Sequence, residues 1–180
     1  MTEESGSLRR ESSALKVVSG AQTGVDRAAL DAALEAGILC GGFVPKGRLA
    51  EDGRVSERYP VQECGSEDYP VRTELNVEHS GATLILYEGE LDGGTLLTRN
   101  LCRKHGKPFL AVPLDRRTLE QAVSQCLEFL RDARPKIVNM AGPRESGRPG
   151  IHDRALAVLR RLFALLQAQA AWDPPARDVS

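Results

Sequence analysis

Five short apolar runs punctuate the chain: LKVVS (15–19), ILCGGFV (38–44), ATLILY (82–87), PFLAVPL (108–114) and KIVNMA (136–141). None alternates with period two, and short continuous apolar runs suit strands covered on both faces. Helical patterns fall between them. VDRAALDAALEAG puts Val25, Ala28, Ala29, Ala32, Ala33 and Ala36 on one stripe of small residues, with Gly37 as its stop. A shorter helix is expected from about Val71 to His79. GTLLTRNLCRKHG ends at Gly106 with Arg103, Lys104 and His105 in the last turn, where a helix favours cations. RRTLEQAVSQCLEFLRDA and the long HDRALAVLRRLFALLQAQAA complete the set. Alternation of strands and helices predicts an α/β fold: a Rossmann-like, doubly wound parallel sheet of about five strands, helices on both faces and the first strand central. A single domain over 14–171 is expected, with loose polar tails at 1–13 and 172–180.

In such sheets ligands bind beyond the carboxyl ends of the strands, where the crossovers change face. The loops expected there are therefore the candidate chemistry. The first strand ends in SGAQTGVD, where Gly20 and Gly24 flank Ala21, Gln22 and Thr23. Bare backbone before a helix start favours phosphate, although Thr23-Gly24-Val25-Asp26 also fits a capping box that explains Thr23 and Asp26 without a ligand. The second strand runs into GGFVPKGRLAEDGR, with Lys46, Arg48 and Arg54 as clustered cations. The third runs into LYEGELDGGTLLTRN, where Gly93, Gly94 and Thr95 repeat the glycine–hydroxyl pattern at a helix start. If the first and third strands are neighbours, both helix starts face one crevice. The fifth ends in NMAGPRESGRPGIHDR, a constrained loop carrying Arg144, Glu145, Ser146 and Arg148, with His152 or Asp153 as cap of the last helix. On the helix at 71–79, Arg72, Thr73 and Asn76 share a face, and Arg72 is within reach of the crevice. The ligand-binding candidates are thus Gly20, Gln22, Thr23, Gly24, Lys46, Arg48, Arg72, Gly93, Gly94, Thr95, Arg144, Glu145 and Ser146; Asp26 and Glu145 are the candidate catalytic carboxylates.

Composition narrows the partners. The 180 residues carry a net charge of −1 with 41 % hydrophobic residues, so there is no basic surplus for nucleic acid or a membrane surface. No run is long enough to span a bilayer, and the polar start MTEESGSLRRESS lacks an apolar signal region, so a cytoplasmic protein is expected. Cys40, Cys64, Cys102 and Cys126 are scattered without C-x-x-C spacing, so no structural metal is expected, and Cys40, Cys102 and Cys126 read as small buried hydrophobes.

Taken together, S-G-A-Q-T-G-V-D-R-A-A-L-D-A-A, G-G-F-V-P-K-G-R, R-T-x-x-N-V, G-G-T-x-x-T and A-G-P-R-E-S-x-x-P-G-I, in that order over residues 15 to 165, resemble the family named for putative molybdenum carrier proteins. That family is related to the molybdenum cofactor carriers and to the lysine decarboxylase-like "lonely guy" nucleotide phosphoribohydrolases. The resemblance implies a Rossmann-like fold that binds a nucleotide or pterin phosphate and assembles as a homo-oligomer. The phosphoribohydrolases carry P-G-G-x-G-T-x-x-E, whose Glu is catalytic; here the stretch is Asp92-Gly93-Gly94-Thr95-Leu96-Leu97-Thr98-Arg99, one residue shorter and without that Glu.

Two functions follow from different classes. One is a binding or carrier protein for a phosphate-bearing cofactor or nucleotide, with molybdenum cofactor (molybdopterin) as cargo; no nucleophile–base arrangement argues against it. The other is a phosphoribohydrolase-like enzyme acting on nucleoside monophosphates, with Asp26 or Glu145 supplying the carboxylate. A ligand-responsive sensor is a third reading.

Overall fold

The computed structural model describes residues 15–172. The predicted tails lie outside them, except that Trp172 ends the last helix. The main sheet contains β1 (Lys16–Val18), β2 (Cys40–Gly41), β7 (Ala82–Tyr87), β8 (Phe109–Pro113) and β9 (Ile137–Ala141), all parallel, in the order β2-β1-β9-β7-β8. Five helices accompany it: α1 (Val25–Glu35), α2 (Tyr69–Glu78), α3 (Gly93–Lys104), α4 (Leu119–Ala133) and α5 (Ile151–Trp172). Helices α1 and α4 both pack on α5, while α2 packs on α3. This is the doubly wound α/β architecture that strand–helix alternation dictates.

Of the continuous apolar runs, β7 and β9 are buried along nearly their whole length, whereas the edge strand β8 buries only Val112 fully. In β7, Leu84 and Leu86 enter the larger core with Val17, Val138, Met140 and Phe163. Val77, Leu101 and Cys102 form a smaller core between α2 and α3. The alanine stripe of α1 lets it lie close against α5, and Ala28, Ala29, Ala32 and Ala33 are all buried. Phe163 is wholly buried core.

The sheet order corrects the expected topology. The first strand lies second from one edge and β9 is central, so β1 and β7 are separated by β9 rather than adjacent. Counted from β9 as strand one, then β1, β2, β7 and β8, the same sheet reads 3-2-1-4-5. The direction of the crossovers therefore reverses between β9 and β7.

Local boundaries also differ. The run at 38–44 breaks at Gly42, which has a φ of 127° and where a Cβ would lie 2.1 Å from the Ser19 carbonyl. Beyond the break, β3 (Phe43–Val44) leaves the main sheet and pairs with β6 (Gln62–Glu63). The Asn76 side chain brackets Phe43, accepting from its N–H at 2.8 Å and donating to its carbonyl at 2.9 Å. Between β3 and β6 a hairpin of β4 (Leu49–Ala50) and β5 (Gly53–Arg54) closes a third cluster, with Val44, Val55 and Tyr59 on Leu30. Helix α4 starts at Leu119 because Thr118 and Gln121 form a capping box, and residues Leu114–Arg116 make a separate 3-10 turn.

Candidate functional site

At the carboxyl edge, where the crossovers reverse, lies a crevice of about 510 Å³. One wall is the β1–α1 turn with Gly20, Gln22 and Asp26; α2 adds Tyr69, Arg72, Thr73 and Asn76. The opposite wall is the start of α3, with Gly93, Gly94, Thr95 and Thr98. The floor is the end of β9 with Asn139, and its loop supplies Arg144, Ser146 and Arg148. The glycine turns of residues 20–24 and 93–95 therefore meet across one crevice even though their strands are not neighbours.

The two walls have different electrostatics. On the β1 side, Arg72 Nη1 donates to Asp26 Oδ2 at 3.1 Å, and both side chains are largely buried. Gly20 makes that pairing possible, since a Cβ there would lie 1.5 Å from Arg72 Nη1. Burial pushes the Asp26 carboxyl above its ordinary range, against the opposing pull of Arg72. On the α3 side, no side chain caps the helix. The amides of Gly93, Gly94 and Thr95 donate to no group among the described residues, and the first intrahelical bond comes from Leu96 N–H to the Asp92 carbonyl. A Cβ on Gly93 or Gly94 would meet nothing within 4 Å, so the approach to these amides is open. Arg144 rests over the Tyr69 ring, 4.8 Å from its centroid, and has no ion pair among the described residues. Arg148 is partly engaged by Asp92, at 3.4 Å.

Several sequence candidates hold the fold around the crevice instead of lining it. Thr23 and Asp26 do not cap α1, whose N-cap is Gly24. The Thr23 hydroxyl instead accepts from Glu145 N–H at 3.2 Å and bonds Glu51. Glu51 also accepts from the Ser146 backbone and hydroxyl, tying the hairpin to the β9–α5 loop. Burial opposes ionisation of Glu51, but the bonds from Ser146 and Thr23 prevail and hold its carboxyl below the usual range. Gly24 has a φ of 78°, and a Cβ there would lie 2.2 Å from the Pro143 carbonyl, so its bareness serves loop-on-loop packing. Arg48 is 7 % exposed and donates to the carbonyls of Val55, Ser56, Tyr59 and Val61, which pins the 45–63 segment. Lys46 is exposed and outside the crevice lining. Glu145 accepts from the N–H groups of Gly150 and His152, so it caps the start of α5 in place of His152 or Asp153.

Tyr69, Asn139 and Thr98 complete the crevice without having been singled out. A polar residue inside the apolar run KIVNMA was the available signal for Asn139, and the second threonine of G-G-T-x-x-T was that for Thr98. Elsewhere, Glu74, Glu78 and His105 bring possible ligand atoms within 4.8 Å of one another, but Glu74 is already bonded to Lys104 and His105, each at 2.7 Å.

Residues 17–163 match the model of the circularly permutated YpsA SLOG family. The chain belongs to that family. Its 3-2-1-4-5 order, once counted from β9, accords with that description. The fold is also that of the crystal structure named "Putative molybdenum carrier protein" from Syntrophus aciditrophicus SB. The two chains are 43 % identical, with a TM-score of 0.81, over 84 % of this chain and 95 % of that one. No curated protein matches. No helix among the described residues is long and apolar enough to cross a membrane.

Proposed function

We propose that this protein binds and carries a phosphate-bearing small molecule in the crevice, with molybdenum cofactor or a nucleotide as cargo. The observation that carries the reading is the convergence of three α3 amides with Arg144, all without a bonding or ion-pair partner among the described residues, at the point where the crossovers reverse. Backbone donors and the positive end of a 12-residue helix suit an anion, and the volume is ample for a mononucleotide or a pterin phosphate. The name of the similar Syntrophus protein supports cargo over substrate.

Hydrolysis of the glycosidic bond is the weaker reading on these residues. Thr98 stands three positions after Thr95, where the phosphoribohydrolase motif has its Glu, and its hydroxyl donates to the Gly94 carbonyl at 2.8 Å. Asp26 is held by Arg72 and Glu145 by the start of α5.

Calorimetric titration with molybdenum cofactor and with purine nucleotides tests the proposal, using the wild type and Gly94→Val. The wild type binds at least one of them. Gly94→Val loses that binding while keeping its melting temperature, because the added side chain blocks the approach to the amides and meets no protein atom within 4 Å at its Cβ. Absence of binding by the wild type at millimolar ligand, or unchanged binding by Gly94→Val, overturns it.

A further inference from the structure

The β1 wall carries two buried donors that have no partner among the described residues. Gln22 is 3 % exposed, and its Oε1 accepts from Thr23 N–H at 3.1 Å and Glu51 N–H at 2.9 Å. Those two backbone donors fix the orientation of the amide, since turning it over would set NH₂ against N–H. Its Nε2 is then left with no partner, as is Arg72 Nε. Both residues line the crevice beside Asp26. A buried donor left unpaired is unfavourable until an acceptor reaches it.

The acceptor that fits is not a second anion. Asp26 and Arg72 neutralise each other, and a further negative charge beside a buried carboxylate is repelled. The open helix start lies across the crevice at α3, while Arg144 stands over Tyr69 on the α2 side. A neutral group that offers an acceptor to Gln22 and Arg72 and a donor to Asp26 satisfies the whole wall. The N–H/C=O edge of a lactam has that arrangement.

Resting on the carrier reading, we infer that Gln22, with Asp26 and Arg72, selects ligands whose ring presents a lactam edge, the 2-amino-4-oxo pattern shared by guanine and pterin. The ring lies at the β1 wall and the phosphate at α3. Gln22 Nε2 and Arg72 Nε donate to the ring carbonyl, and Asp26 accepts from the adjacent ring N–H. Adenine lacks that ring N–H and presents an amino donor where the carbonyl would be, so it leaves both protein donors unpaired.

The test is calorimetry on the full chain with GMP, AMP, guanosine, adenosine and neopterin. A lactam ligand, in the guanine or the pterin series, binds about tenfold or more tightly than its adenine counterpart, the scale of a good paired contact to a base edge. Guanosine against neopterin, both free of phosphate, shows which ring is taken. Gln22→Glu keeps the oxygen that serves Thr23 and Glu51 and removes the donor, so it brings the preference close to one. Adenine ligands binding as tightly as both lactam series overturn the inference, and that comparison needs no variant. A preference that survives Gln22→Glu overturns the role of Gln22. If Gln22→Glu alters only the melting temperature, Nε2 serves an internal water and the inference fails as well. The carrier reading fails separately, when GMP and AMP bind no better than their nucleosides. If none of the five binds, both fall.

Discussion

Replacing Arg72 by Met isolates the buried ion pair that lines the crevice. Asp26 is 4 % exposed and its Oδ2 lies 3.1 Å from Arg72 Nη1. Without the guanidinium its carboxylate keeps its desolvation penalty and loses its counter-charge, which in buried pairs costs about 3–5 kcal/mol. For a chain of this size each kcal/mol shifts Tm by about 2–4 °C, so Arg72→Met falls by about 6–20 °C at pH 7. The sign of the pH dependence is fixed by the cause. Burial already raises the Asp26 pKa and Arg72 opposes it, so the variant raises it further. A folded-state carboxyl pKa above the unfolded value of about 3.9 makes ionisation destabilising, and the deficit grows as pH rises from there. Thermal unfolding of wild type and variant between pH 4 and 7 therefore shows the gap closing toward pH 4. The double variant Asp26→Asn, Arg72→Met, which removes both charges, recovers most of the loss at pH 7. A gap that is constant with pH, or a Tm within about 2 °C of wild type at pH 7, less than the shift of one kcal/mol, refutes the argument.

Three further outcomes follow from groups outside the crevice. Arg48→Met leaves four carbonyls, two of them buried, without their donor and costs about 2–5 kcal/mol; hydrogen exchange shows the loss concentrated in residues 45–63, and Arg48→Lys does not rescue it because an ammonium lacks the fork. Burial pushes the Cys126 thiol up to about 12, so iodoacetamide at pH 8 leaves it unlabelled until denaturant is added, and prompt labelling of the native protein contradicts the packing. Burial disfavours the charged form of His152, but its bonds to Asp31 and Asp153 prevail and raise its pKa. Its stabilisation is therefore complete below about pH 6.5, the unfolded value, and is lost as pH rises through the folded one. His152→Gln flattens that part of the urea-stability profile, and an unchanged profile excludes the effect.

The layers of this fold were legible because each rests on local pattern: five unalternated apolar runs, the alanine stripe of α1 and glycine stops at 37 and 106. Sheet order was not, since nothing in the run KIVNMA distinguishes a central strand from an edge one; that is decided by which helices cover which face. The glycine loops were legible as flexible backbone, but the use of each glycine was not. Gly20 admits a guanidinium, Gly24 admits the Pro143 carbonyl, and Gly93 and Gly94 open onto free space. Charge was the least transferable signal. Arg48 and Arg144 look alike in sequence, yet the first is bound to four carbonyls while the second has no carboxylate partner among the described residues. Whether a loop cation faces solvent, backbone or a ligand depends on contacts 7 to 13 positions away for Arg48, beyond the reach of a local reading.

Counting from β9 also bears on why the proposed anion site falls at α3. Two helices start beside the reversal point, α5 after β9 and α3 after β7, and by helix electrostatics alone either could receive a phosphate. In the unpermuted order the loop after strand one is the usual phosphate loop, and here that is AGPRESGRPG before α5. Its helix start is already taken: Glu145 lies five residues before Gly150 and seven before His152, and bonds the N–H of both. A carboxylate tethered that closely is present at a far higher effective concentration than any free ligand, so it outcompetes a phosphate for the same amides. Across the crevice Asp92 makes no such bond to α3, although it occupies the N-cap position where an aspartate commonly does. Its carboxylate turns to Arg148 instead. The chain thus closes one helix start with its own acid and leaves the amides of the other open, which is where the proposal puts the phosphate.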